Sequence, residues 1–414
     1  MVPSDATAPR RPLEGLRVLE VGVWHAGPGA SAILGDLGAE VVKIETFDGD
    51  PERRFGTFGP LAGEDEALDN WTSLYEFSNR NKRGIVVDLT SDEGRAVFER
   101  LLARADVFLT NLRTPTRDKL RLDEQSIRAV NPTVVMSAVT GFGPEGPMKD
   151  DGGFDAMGQG VGGLMYLGSD EPVVMQMIVL DQMTAITAAF GVVTALLARA
   201  RSGDPDAPGL TTETSLYGAA TWLGARNLQA AGLTKRHIST AWVRERQAPL
   251  RSTFRCADGL WVIGTNHPEH KYWPALCKAI GRPELVDDER FATTELRREN
   301  SPELYRLLDE EFARRNRDEW VAIMSAHGLL FAPVQRPVDV LEDPQALANG
   351  YVTEFTHDDL GTVTLPGFPI RFGGMAAGPV RRAPRQGEHT DAILTEAGYS
   401  RAEIEALRDA RAVT

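Results

Sequence analysis

Residues 16–45 constrain this chain more tightly than any other stretch. LRVLEVGV is apolar and rich in β-formers. HAGPGASAILGDLGA follows, with Pro28 just inside a helix start, where a missing N–H costs nothing. VVKIE then reads as a second strand, so the run is a βαβ unit of a parallel sheet. The pattern continues. GIVVDLT (84–90) is a strand, and SDEGRAVFERLLARA is an amphipathic helix capped by Ser91. ADVFLTNL (105–112) and PTVVMSAVTGFG (132–143) supply further strands. This half of the chain is expected to be α/β and doubly wound, Rossmann-like, with binding sites at the carboxyl ends of its strands.

The texture changes near residue 225. FRCADGLWVIGT (254–265) reads as a hairpin turning at Ala257-Asp258-Gly259, short helices follow, and antiparallel signals return in 351–367. A length of 414 residues exceeds what one core usually serves. The expected division is a large Rossmann-like domain from 1–224 and 335–414, with a smaller α+β domain at 225–334. A net charge of -14 argues against a nucleic-acid partner, which demands a concentrated basic surface. Cys256 and Cys277 are too few for a disulfide framework, and no Cys/His spacing suggests a metal. The opening residues lack the apolar core of a signal peptide, and the apolar run 183–198 is shorter than a bilayer span. That run is expected to be a buried helix, and the protein soluble and cytoplasmic, with no membrane partner.

Gly22, Gly27 and Gly29, with Glu45 ending the second strand, also sketch a dinucleotide site, although they do not form GxGxxG. A nicotinamide- or flavin-dependent oxidoreductase is therefore the out-of-class alternative, and a generic βα turn the plainer one. The cluster has company, however. HAGPGASAILGDLGAEVVKIE, NRNKRGIVVDLTSDEGR, ADVFLTNLR, NPTVVMSAVTGFGPEGP, GFDAMGQGVGG and LDQMTAITAAFGVVTALLAR occur in that order, followed by DDERFATTELRREN, EDPQALANGYV and GEHTDAILTEAGYSRAEIEAL. From about Pro12 to about Leu407 the chain resembles the class III CoA-transferase family (CaiB/BaiF type). That family also holds formyl-CoA and carnitine CoA-transferases and α-methylacyl-CoA racemases. The resemblance implies an enzyme that moves CoA from an acyl-CoA to a carboxylic acid, with coenzyme A as substrate and product and no metal. It further implies an interlocked homodimer.

Moving CoA requires a group that attacks a thioester carbonyl, and a shielded carboxylate can do so. Asp181 ends the apolar stretch VVMQMIVL and precedes a long helical pattern. Free N–H groups and the helix dipole are expected to lower its pKa. By pattern alone it could be a simple N-cap; the resemblance implies that it is the nucleophile. Asp155 in GGFDAMGQG reads either as a turn aspartate or, by resemblance to a glutamate of formyl-CoA transferase, as a supporting acid beside the nucleophile. The racemases carry histidine where this chain has Phe154, and Phe154 exchanges no proton. Unless His25 supplies the second acid/base group, a racemase or isomerase acting on acyl-CoA, the nearest alternative, is disfavoured. His25 itself, after the first strand, reads either as a turn histidine or as a supporting site residue.

CoA brings a 3′-phosphate and a pyrophosphate, which call for cations and backbone N–H groups. The resemblance implies CoA contacts at Asn79, Arg80, Asn81 and Lys82; at Asn111, Leu112 and Arg113; at Lys119; at His25 and Ala26; and at Phe154 and Asp155. Two departures stand out. An arginine of formyl-CoA transferase is Thr46 here and a lysine is Gly152, leaving Lys43, Arg53 or Lys149 as sources of the missing charge.

Overall fold

The computed structural model describes residues 9–55, 72–237, 239–240, 243–244, 247 and 249–414. β1 (Arg17–Val21), β2 (Glu40–Glu45), β3 (Lys82–Val86), β4 (Val107–Thr110), β5 (Val135–Thr140) and β6 (Thr211–Ser215) form one sheet in the order β3-β2-β1-β4-β5-β6. Every pairing in it is parallel. Successive side chains point to opposite faces, as strand geometry dictates. Leu19, Phe108 and Met136 join one core with Phe98 and the C-terminal residues Ile393, Ile404 and Leu407. Val18, Val107, Leu109 and Val135 join the other with Leu34, Ala185, Ala188 and Val192. The strand order reverses between β1 and β4, and the loops leaving their carboxyl ends diverge there to leave a crevice. β6 (TTETS) was not legible in the sequence, because a polar edge strand has no apolar run to announce it.

The helix Val179–Ser202 departs from the expectation of full burial. Leu180, Thr184, Ala185, Ala188 and Val192 pack into the core, while Ile186, Phe190, Val193 and Leu197 stand exposed, Phe190 at 72%. By length and composition it could also cross a membrane, which the run 183–198 alone did not suggest. Its buried stripe is committed to the sheet, and the rest of its apolar character stands on the exposed face.

By its contacts the chain divides into a sheet unit (Met1–Met165, Glu171–Ile238, Asn349–Thr414) and a smaller one (Tyr166–Asp170, Ser239–Ala348). Residues 225–238 thus stay with the sheet, and 335–348 belong to the smaller unit, the reverse of the expected assignment. The helix Ala225–Thr234 continues from Leu216–Leu223 almost without a break, whereas Phe331–Val334 is tied to the smaller unit's own sheet. In that unit β7 (Thr253–Arg255), β8 (Trp261–Gly264) and β9 (Phe331–Val334) are antiparallel and pack with the helices Glu269–Ala279, Ser301–Phe312 and Arg317–Ala326 around Phe254, Phe291 and Phe312. β10 (Val352–His357) and β11 (Gly361–Pro366) form a separate hairpin in the sheet unit.

Candidate active site

A cavity of about 800 Å³ opens at the β1/β4 crevice. Two glycines let the walls close there. Asn111, just past β4, accepts the Val23 N–H on Oδ1 at 3.0 Å and donates Nδ2 to the Val23 carbonyl at 2.6 Å. A Cβ on Gly27 would stand 2.8 Å from Asn111 Cγ, and one on Gly22 would stand 2.9 Å from its Oδ1. The glycine cluster therefore admits an asparagine clamp. Glu45 corrects the dinucleotide reading in the same way, because its carboxylate is buried and held by Arg53 through Nε (2.9 Å) and Nη2 (2.7 Å). A ribose would find no free acceptor on it.

Asp181 and Asp155 both line the cavity. Asp181 lies in the first turn of Val179–Ser202, yet it does not enjoy the helix end alone. Asp155 Oδ2 accepts the N–H groups of Leu180 (2.6 Å) and Asp181 (3.0 Å), so Asp155 is the acid that satisfies the exposed end of this helix. The buried Gln159 steadies the arrangement, donating Nε2 to Asp155 Oδ1 and accepting the Met175 N–H at 3.0 Å. Burial first, and the Asp155 charge second, push the Asp181 carboxyl up to about 7. This reverses the expected lowering: desolvation and a neighbouring carboxylate outweigh a dipole that Asp155 already occupies.

His25 lines the cavity at the start of the helix Ala26–Asp36, buried, with Ala26 beside it. Its Nδ1 meets the Ser78 hydroxyl at 2.8 Å and its Nε2 meets Gln182 Oε1 at 2.7 Å, while the ring stacks on Phe77. Burial pulls it down to about 4, so the imidazole is neutral. With Nε2–H donating to Gln182, Nδ1 accepts from Ser78, and both nitrogens are occupied. Gly29 leaves the room the ring needs, since a Cβ there would stand 3.0 Å from it. Neither His25, so held, nor Phe154 supplies the second proton carrier that racemisation needs.

Sequence reasoning missed Glu52. It lines the cavity wholly buried, with both carboxyl oxygens lacking a hydrogen-bond partner; the nearby Ser78 hydroxyl is committed to His25. Burial, then Asp50, push it up to about 8, so Glu52 is an uncharged acid. It missed the aromatic wall as well. Trp24, in the left-handed region at φ 60°, lies edge-on to Phe55 (5.4 Å between centroids) and to Phe154 (5.5 Å). No periodicity could have signalled three rings from three separate loops.

The CoA contacts expected from resemblance separate into two groups. His25, Ala26, Asn111, Leu112, Arg113, Phe154 and Asp155 line the cavity, joined by Lys149 from a loop after β5. Asn79, Arg80, Asn81, Lys82 and Lys119 do not line it. Lys82 is wholly buried, its ammonium donating to Glu20 Oε2 (2.7 Å), the Pro28 carbonyl (2.8 Å) and Asn79 Oδ1 (2.9 Å). Arg80 and Asn81 are held by Asp36. The NRNK run is therefore neither a phosphate cradle of this cavity nor a solvated charge run, but part of a buried ion network. Lys43 and Arg53 are likewise spent, Lys43 on Glu20 and Asp50 and Arg53 on Glu45. Burial alone would raise the Glu20 carboxyl, but Lys43 and Lys82 pull it down to about 2. Arg113 and Lys149 remain as exposed cations on the cavity wall.

A doubly wound sheet with a half-buried carboxylate at its switch point and exposed cations on the cavity wall suits a large anionic ligand. The chain belongs to the CoA-transferase family III, whose model matches residues 13–390. It is 29% identical to (R)-2-hydroxy-4-methylpentanoate CoA-transferase of Clostridioides difficile, over 97% of this chain and 99% of that one. It is 31% identical to succinyl-CoA--D-citramalate CoA-transferase of Chloroflexus aurantiacus, over 94% of each. The crystal structure of a CaiB/BaiF family protein from Brucella suis superposes with a TM-score of 0.82 at 30% identity, covering 94% of this chain and 100% of that one. The protein is an enzyme of this class, acting on acyl-CoA and carboxylic acids, with CoA as substrate and product.

Proposed function

We propose that Asp181 is the nucleophile of a ping-pong transfer. Its carboxylate attacks the carbonyl of a donor acyl-CoA, forming a mixed anhydride and releasing CoA thiolate. The thiolate attacks the aspartyl carbonyl, freeing the donor acid and leaving an aspartyl-CoA thioester. An acceptor carboxylate displaces the thiolate from that thioester, and the thiolate then attacks the acceptor carbonyl, yielding the new acyl-CoA and regenerating Asp181. The observation that carries this reading is a cavity-lining carboxylate, half-buried beside Asp155 and raised to about 7. Such a group is still ionised in useful amount at neutral pH and is more nucleophilic than a solvated aspartate. Asp155 orients the first turn and lifts the Asp181 pKa; Arg113 and Lys149 take CoA phosphates; the neutral His25 holds Gln182, next to the nucleophile. The enzyme acts as a homodimer, a reading supported by the apolar stripe Ile186, Phe190, Val193 and Leu197 standing exposed on a single chain.

Incubation with acyl-CoA followed by hydroxylamine should leave a hydroxamate on Asp181, detected by peptide mass spectrometry. Asp181→Asn should lose the adduct and at least about a thousandfold of the transfer rate. Retained transfer in that variant would remove the covalent mechanism.

A further inference from the structure

Resting on that role for Asp181, we infer that the acid exchanged on CoA carries an uncharged aryl or branched-alkyl group, seated against Trp24, Phe55 and Phe154. Two of the rings line the cavity with Asp181 and adjoin, along the chain, residues bonded to its turn. Trp24 precedes His25, whose Nε2 meets Gln182 at 2.7 Å, and Phe154 precedes Asp155, which takes the Asp181 N–H at 3.0 Å. Each is thus one residue away from a side chain bonded to the turn that carries the nucleophile. Phe55 closes the group from the opposite segment, edge-on to Trp24. Phe154 is 57% exposed, a costly display of apolar surface inside a binding cavity unless a ligand covers it. The rings cannot serve the adenine while the thioester reaches Asp181, because the pantetheine arm separates the two ends of CoA. What lies beside the nucleophile is the acyl side of the thioester.

Charge points the same way. Among the described residues lining the cavity the acids are Glu52, Asp151, Asp155 and Asp181, against the cations Arg113 and Lys149. Those two cations answer to the CoA phosphates. A second carboxylate on the acyl group would lie beside Asp181 and Asp155 with no cation left to pair it among the described cavity residues, and an unpaired charge in a partly buried site is disfavoured.

The half-reaction needs no acceptor, which makes the test direct. Phenylacetyl-CoA, isovaleryl-CoA, succinyl-CoA and malonyl-CoA are each mixed with the enzyme, and the second-order rate of hydroxylamine-trapped adduct is measured. The phenylacetyl and isovaleryl esters should label at least about tenfold faster than the two dicarboxylic esters. Phe154→Ala should shrink that ratio by about tenfold. Succinyl-CoA labelling as fast as phenylacetyl-CoA would overturn the inference while leaving the covalent role of Asp181 intact, and so would a Phe154→Ala variant that slows all four donors alike. Adduct on a residue other than Asp181 would instead overturn the nucleophile assignment, and the donor ratio would still decide the present point.

Discussion

Asp181 and Glu52 are two cavity carboxyls whose environments give them different tasks. Asp181 at about 7 works only when ionised, so kcat/KM for acyl-CoA should rise through pH 7 and level off above it. Asp155→Asn keeps an oxygen for the Leu180 and Asp181 N–H groups but removes the neighbouring charge. The midpoint of the pH profile should therefore move down, while burial, the larger cause, keeps it above an ordinary aspartate. A midpoint unmoved by that substitution would mean the two acids are not electrostatically linked. Glu52 at about 8 has the opposite consequence for stability. From the ordinary carboxylate range up to its folded value, the unfolded chain has lost the proton and the native chain keeps it, so native stability falls as pH rises through that window. Glu52→Gln removes this loss. Urea unfolding should find the variant on the order of a few kcal/mol more stable than the natural protein at about pH 9, and nearly equal at about pH 4.

At the scale of elements, the sequence announced what periodicity encodes. The strands of the doubly wound sheet and the Ser91 cap, which accepts the Gly94 N–H at 3.0 Å, carry local signals that packing did not overrule. Asp181 at the head of its helix was legible for the same reason. What stayed hidden depends on residues meeting across the chain. Lys43 and Lys82 sit within strands and are charged, yet they are wholly buried because Glu20, from a third strand, pairs with both and Asp50 supplies the second negative charge. Asp155 caps a helix that begins 24 residues later, which no capping pattern read along the chain reports. The asparagine clamp is a third case, joining the ends of β1 and β4 through one side chain. Asn111→Ala leaves the Val23 N–H and carbonyl unpaired and frees the turn that holds Trp24 at positive φ. Denaturant titration should show a loss of about 2 kcal/mol, and KM for acyl-CoA should rise more than kcat falls, since the clamp shapes the cavity without touching the reacting atoms. A drop in kcat at unchanged KM would refute that role.

At the scale of the whole molecule, one surface remains to be accounted for. Along Val179–Ser202 the spacing of Ile186, Phe190, Val193 and Leu197 follows the helical repeat, so these side chains form one continuous stripe opposite the buried one. Trp222, Leu228 and Leu233 extend apolar exposure onto the helices that follow β6, with Leu233 at 80%. Isolated exposed leucines need no explanation, but a helix that is apolar on two opposite faces is buried on both in its working state. The sequence pointed to that double burial, and a single chain supplies only half of it, which is why expectation and structure part at this helix. In the homodimer proposed above, a second copy of the chain would cover the rest. Light scattering on the purified enzyme at micromolar concentration should return twice the 45.2 kDa chain mass, and Phe190→Glu, placing a charge in the middle of the stripe, should lower the dimer fraction or leave the chain insoluble. A natural protein that stays at the single-chain mass and remains active would leave this stripe facing water in the functional state, and the dimeric reading of the helix would fail with it.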